Sequence, residues 1–260
     1  TDGGAYLPKA GIELEGINLH AELAGDRLLI TDLELHSGPG NISGRGEVVF
    51  DHWNFDKYQL RINGENFQVV DFPELQVLCD PDLTLSGTSE AMSLQGSVMI
   101  PVMTVKGNPI TPEILPSKDV VIAKLDKQRD ELNFATDIHV VVELGDNVTV
   151  NSGGLNTHLS GGAIITMGTT GEVFAQGEVE LVSGSYKAYG VKLQIRQGVL
   201  NYKGGAITNP DLRVFAAREV GDVLAGVQVT GNAEAPVVTL YSKPTMPERD
   251  ILGYILMGRA

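Results

Sequence analysis

Residues 177–202 read GEVELVSGSYKAYGVKLQIRQGVLNY, and the parity of their apolar side chains changes three times. Val179 and Leu181 share one parity and Tyr186 and Ala188 the other; Val191, Leu193 and Ile195 return to the first, and Leu200 and Tyr202 leave it again. Alternation with period two marks a strand with one buried face. Each change of parity falls beside a glycine, Gly184, Gly190 and Gly198, the residue that turns and bulges accept most readily. Such a segment is not a helix. It is a set of strands whose inward face is reset at fixed places.

The pattern runs through most of the chain. Ile17, Leu19, Ala21 and Leu23 share a parity, as do Leu29, Thr31, Leu33 and Leu35, then Gly44, Gly46, Val48 and Phe50, then Tyr58, Leu60 and Ile62. Leu94, Gly96, Val98 and Ile100 continue it, followed by Ile138, Val140 and Val142, by Leu212, Val214 and Ala216, and by Val238 and Leu240. Clusters such as SGPGN, CDPD and GGAITNPD separate the runs, which predicts on the order of 14–16 strands.

At 260 residues the chain can be one large all-β unit or two smaller domains. Its net charge of −14 opposes nucleic acid and an anionic bilayer in the mean field, and no dense run of basic residues overrides it. No apolar run approaches the ~20 residues of a membrane-spanning helix, and the N-terminal TDGGAYLPKAG lacks a signal-peptide pattern. Alternation begins almost at once, so the chain reads as a piece of something longer. Cys79, the one cysteine, has no partner within the chain for a disulfide.

Alternation weakens between residues 112 and 137. Only Val120, Val121 and Ile122 look extended there, and AKLDKQRDE at 123–131 mixes both signs of charge. A linker or insertion over 114–136 is expected, between an upstream segment, 1–113, and a second domain, 137–260. Near the C-terminus Thr245 and Glu248 have capping-box spacing, Pro247 falls in the first turn, and Ile251, Tyr254 and Ile255 form a stripe at i, i+3 and i+4. They predict one short helix packed on the end of the sheet.

An enzyme would need a nucleophile, a base, a metal or a cofactor loop, and none of these patterns is present. His20, His36, His52, His139 and His158 stand singly, with no ligand spacing among them. The GPGNISG run from Gly38 puts its last glycine one place too late for a dinucleotide loop, and no helical pattern follows. Ser43, Ser183 and Ser185 do not fit G-x-S-x-G. Asp51, Asp56, Asp80, Asp82 and Asp146 lack calcium-loop spacing and read as turn residues. The expectation is a non-enzymatic chain with no metal and no cofactor.

Alternation alone favours a sandwich or barrel whose apolar faces meet across a dry core, since most half-buried strands do that. The alternative is one long sheet that curls into a trough, with Glu178, Glu180, Lys192, Gln194 and Arg196 outside. Small inward residues, Ala175, Gly177, Ala188 and Ala216, leave room in such a trough, and the aromatic content of 6% is low.

In the second half LGDNVTVNSGGLNTHLSGG, GEVELVSGSYKAYGVKLQIRQGVLNYKGG, NPDLRVFAAR and GVQVTGNAEAPVVTLYSKPTMPERDILGYILMGR follow one another. In that order they resemble the C-terminal domain of the TamB family, and LQGSVMIPVMTV with SKDVVI resembles that family's approach to the domain. The resemblance implies an all-β fold, a long curled, largely antiparallel sheet forming an apolar-lined half-pipe or β-taco, with a short C-terminal helix. It also implies a periplasmic envelope protein of a diderm bacterium, held in the inner membrane by a segment missing from this chain. The implied partners are phospholipid acyl chains, TamA or another BamA-type outer-membrane protein, and unfolded outer-membrane barrel clients.

Two functions follow from the resemblance: phospholipid movement between the membranes, as in AsmA-like bridges, and a scaffold for inserting outer-membrane barrels by strand pairing. The same analogy makes 144–242 the expected lining, with Leu155, Leu159, Val173, Val179, Leu181, Tyr186, Leu193, Ile195, Leu212, Val214, Val227, Val229 and Leu240 facing the groove. Ile251, Tyr254 and Ile255 are then expected either to help dock the outer-membrane partner or to plug the sheet end.

Overall fold

Each alternating run becomes a strand, and the strands join edge to edge in chain order except at Phe67–Phe72, which pairs with Leu75–Thr88 beside the pairing of that strand with Asn54–Glu65. The computed structural model describes residues 3–51, 54–107, 135–167, 171–188 and 190–259. The first half contributes β1 (Gly3–Leu7), β2 (Ile12–Ala24), β3 (Arg27–Ser37), β4 (Gly40–Asp51), β5 (Asn54–Glu65), β6 (Phe67–Phe72), β7 (Leu75–Thr88) and β8 (Ala91–Gly107). The second contributes β9 (Ala135–Ser152), β10 (Leu155–Met167), β11 (Val173–Ala188), β12 (Val191–Ala206), β13 (Asp211–Val220), β14 (Val223–Gly231) and β15 (Pro236–Lys243), then the helix α1 (Glu248–Met257). All fifteen strands belong to one open, curled sheet, an apolar-lined half-pipe. Residues 11–86 continue the same sheet as the second half.

Neighbouring strands run antiparallel, as short turns require, with one exception: β8 and β9 are parallel. Their connection, with most of the expected 114–136 linker, lies outside the described residues; Ala135 and Thr136 open β9.

The register carries the apolar parity from strand to strand. One row runs Leu19, Leu33, Gly44, Ile62, Leu83, Gly96, Val140, Ile165, Ala175, Gly205, each paired with the next. A second runs Ala21, Ile30, Gly46, Leu60, Leu85, Leu94, Ile138, Met167, Val173. Both lie on one face. The other face carries the charges, including the ion pairs Arg27–Glu47 at 3.5 Å, Arg61–Asp82 at 3.3 Å and Arg196–Glu219 at 2.7 Å. At Gly46 an added Cβ would lie 2.2 Å from the Gln59 carbonyl oxygen; the row passes there by close backbone approach.

Three local expectations are corrected. Leu29 and Thr31 do not share a face with Leu33, because the β3–β4 register shifts between Ile30 and Leu33; the extra residue of a bulge reverses the parity. CDPD is not a turn. It lies inside β7, where the strand passes from pairing with β6 to pairing with β5, and the Asp80 carboxylate accepts the Asn66 backbone N–H at that junction. The capping box does not form either: the helix N-cap is Pro247, with no side-chain cap. The backbone N–H groups of Asp250 and Ile251 turn instead to the Pro247 carbonyl.

The buried core is concentrated at one end. Val191, Leu193, Ala216 and Ala225 pack under Ile251 and Ile255 of α1, with Ile195, Val223, Val227, Leu240, Met246 and Tyr254 around them. Gly253 is also buried, which lets the helix lie close to the sheet. Gly258, left-handed at φ 75°, ends the helix. The Arg218 guanidinium donates to the Ile255 carbonyl at 3.0 Å, supplying the cation that the helix's own last turn lacks.

Candidate functional site

Where the sheet curls under α1 it forms a partly open apolar cavity of about 690 Å³. Its lining reaches from Val150 in β9 and Leu155 and Leu159 in β10, through Leu181, Tyr186, Ala188, Val191, Leu193, Ile195 and Leu200, to Val214, Ala216, Val227, Val229 and Val238, with Ile255 and Leu256 of the helix as a roof. Among the described residues of that lining the one polar side-chain group is the Tyr186 hydroxyl.

The parity changes in 177–202 make this wall possible. His158 pairs with Ser183 but Leu159 with Leu181, so Val182 is an extra residue; it is pushed outward, 62% exposed. Leu181 and Tyr186, of opposite parity, thereby line the same cavity. The Thr157 hydroxyl, buried within the fold, donates to the Ser183 carbonyl at 2.7 Å and ties the bulge down. A second shift lies in β12, where Ile195 pairs with Ala216 and Gln197 with Phe215; it brings Leu200 inward with Ile195. Gly190 lies in the β11–β12 hairpin turn at φ 79°. Tyr202, opposite Gly177, has its phenol pKa raised by burial.

Leu155, Leu159, Leu181, Tyr186, Leu193, Ile195, Val214, Val227 and Val229 stand around the cavity. Leu240 packs on the core beneath α1. Val173 ends the second apolar row, Val179 pairs with Gly161 and Leu200, and Leu212 pairs with Leu200; these three lie outside the cavity lining. The expected lining omits Val150, Val191, Leu200, Val238 and Leu256. Val191 and Leu200 carry the parity signal in the opening stretch, whereas a helix residue such as Leu256 gives no strand signal. Ile251 and Ile255 are buried against the sheet and Tyr254 is half-buried; the exposed apolar side chains of α1 are Leu252, Leu256 and Met257.

The described lining is a continuous set of apolar side chains contributed by seven strands, β9 to β15, and the helix. Among the described residues no group of three or more His, Cys, Asp or Glu side chains could hold a metal ion. Also among them, no helix is long and apolar enough to cross a membrane. Residues 30–260, from within β3 through α1, match the TamB C-terminal domain family. The chain belongs to the TamB family. It is similar to the translocation and assembly module subunit TamB of Haemophilus influenzae, 30% identical over 240 residues that cover 85% of this chain. The chain spans about 18% of that relative's length. The cavity and both apolar rows, apart from their β2 members, lie within the TamB match.

Proposed function

We propose that this TamB-family chain forms part of a periplasmic conduit along which phospholipid moves between the inner and outer membranes of a diderm bacterium, as a non-enzymatic component of a translocation and assembly module serving outer-membrane biogenesis. In this reading the whole protein is anchored in the inner membrane by a segment outside this sequence, and TamA or another BamA-type protein receives it at the outer membrane. The observation that carries the proposal is the unbroken pairing of apolar residues from Leu19 to Gly205. Each methylene removed from water is worth about 0.8 kcal/mol, so an acyl chain of ~16 carbons gains at most on the order of 12 kcal/mol, in proportion to how far the half-pipe takes it out of water. Movement is fast only if that gain is never interrupted. A continuous row meets the condition, while the headgroup stays in water along the open side.

Photo-crosslinking residues installed at Leu33, Ile62 and Leu83 should capture phospholipid in cells, and the same residues at Glu47 and Arg61, on the outer face, should not. Equal capture on both faces, or none on either, refutes the conduit. Val229→Asp, a charge in the cavity wall, should stop lipid movement in the full-length protein while leaving it folded, since an unpaired charge in an apolar lining costs several kcal/mol.

The free edge of β15 supports a second reading. Val237 and Val238 there are 54% and 61% exposed, and among the described residues β15 pairs only with β14. An unpaired edge can add a strand of an unfolded outer-membrane barrel, as in autotransporter secretion. Crosslinks from Thr239 to a barrel client that persist in Val229→Asp would favour this scaffold role over lipid movement.

A further inference from the structure

The net charge of −14 conceals an uneven distribution. Residues 182–260 hold nine of the nineteen Lys and Arg but only six of the thirty-three Asp and Glu. They are therefore net +3, and the rest of the chain is net −17. The topology gathers several of the cations at one rim of the sheet. Lys187 and Lys192 face each other across the β11–β12 hairpin, Lys243 ends β15, and Arg259 follows the Gly258 cap, beside Arg218 and Val220 of β13. All four are exposed, and among the described residues none of them forms an ion pair.

Four acidic groups stand at the same end and are partly satisfied. Glu219 is paired with Arg196, Glu248 and Asp250 sit in the first turn of α1 where the helix dipole favours them, and Asp222 stands in the β13–β14 turn. Beside the cations α1 exposes Leu252, Leu256 and Met257, at 44%, 55% and 67%, and Leu256 is at once exposed and part of the cavity roof. Apolar side chains that protrude beside unpaired cations match an anionic lipid surface, in which the former enter the acyl boundary and the latter meet the headgroups. The acidic upstream strands do not cancel this, because exposed charges are screened within ~8 Å at physiological salt.

We infer that the rim formed by the β11–β12 hairpin, the end of β15 and α1 docks on the surface of an anionic phospholipid bilayer, with the cavity mouth set against the leaflet. The inference rests on the conduit reading for what the docked mouth delivers; docking itself is measured separately. In flotation of the 260-residue chain with vesicles, equal parts phosphatidylcholine and phosphatidylglycerol should carry the protein upward. Vesicles of phosphatidylcholine alone should carry far less, and raised salt should release it. Each basic residue near an anionic surface is worth roughly fivefold in partitioning, so Lys187→Glu with Lys192→Glu should weaken binding by at least about twentyfold. Leu252→Ser with Met257→Ser, both at exposed positions, should also weaken it with the thermal transition unchanged. Arg27→Glu with Arg61→Glu, upstream, should leave it unaltered.

Absence of flotation, equal flotation with neutral vesicles, or indifference to the Lys187 and Lys192 reversals overturns the inference. Lipid capture at Leu33, Ile62 and Leu83 without flotation would reject docking and leave the conduit standing. Flotation without capture would reject the conduit and leave docking.

Discussion

Leu193 in β12 and Leu83 in β7 sit on the same face of the same sheet, each in a period-two run, and their surroundings differ. Leu193 is 6% exposed beneath Ile251 and Ile255. Leu83 is half-buried, flanked along its row by Ile62 and Gly96. Among the described residues the main packing between elements that are not neighbours in the sheet is α1 on β13–β15, with β6 against β2–β4. One wall thus has an end covered by α1 and a long stretch that no described element covers, built from the same side-chain chemistry. Apolar alternation specifies which face is inward; whether that face is occupied by the chain itself depends on a second element.

The largest test of this contrast is Leu193→Arg. Beneath α1 the guanidinium would enter a cluster of apolar side chains, and an unpaired buried charge costs about 3–5 kcal/mol. Urea unfolding should show a loss of unfolding free energy of that size, with α1 undocking before the sheet. A variant as stable as the parent would mean that α1 leaves the cavity freely and does not cover that end in solution. This also makes Leu193 a poor probe of transport and Val229, whose strand continues away from the helix, a better one.

The counterpart at the uncovered stretch is Leu83→Ser, for which the expected loss is about 1 kcal/mol, since a half-exposed leucine forfeits only part of the 1.5–3 kcal/mol of full burial. Lipid capture by neighbouring crosslinkers should nonetheless fall sharply, because the hydroxyl breaks the row. A loss of 3 kcal/mol or more would show that a facing layer covers Leu83 and that the wall is a core.

The extent of what was legible follows from the same distinction. Strand number, the alternating faces and the resets in 177–202 could be read directly, because a bulge beside Gly184 or Gly198 leaves its mark in the parity of the residues around it. The C-terminal helix was legible from Ile251, Tyr254 and Ile255, but its cap was not: Pro247 took the N-cap position ahead of Thr245. CDPD misled because Asp and Pro serve a change of strand partner as well as they serve a turn. The parallel pairing of β8 with β9 had no local signal, since direction is set by a connection rather than by alternation. The cationic rim was present in the sequence but disappeared in an average over 260 residues.

Cys79 sharpens the comparison from the other side. It lies in β7 opposite Phe67 of β6, where a strand end covers a small part of the upstream sheet, and both residues are buried. Burial, reinforced by the neighbouring Asp80 carboxylate, pushes its thiol from an ordinary value near 9.0 up to about 11. The unfolded chain therefore releases this proton first, and stability present below pH 9 should decline as pH rises from about 9 to about 11. Cys79→Ser should remove that part of the alkaline decline. The folded thiol should also resist disulfide reagents at pH 8 and react once urea unfolds the chain; rapid reaction in the folded state would mean that β6 does not stay on β7.

The smallest effect is expected on the outer face, where Arg61 lies 3.3 Å from the Asp82 carboxylate with its side chain 66% exposed. Exposed ion pairs are worth about 0–1 kcal/mol, so Arg61→Ala should change the unfolding free energy measured in urea by less than about 0.5 kcal/mol and leave lipid capture at Ile62, the next residue along the strand, unchanged. Arg61 and Ile62 differ by one position and by the face they occupy, which makes the pair a direct measure of how far the two faces act independently. If Arg61→Ala abolished capture at Ile62, the polar face would be setting the geometry of the apolar one, and the wall would have to be understood as a two-sided structure rather than as a greasy surface with a soluble back.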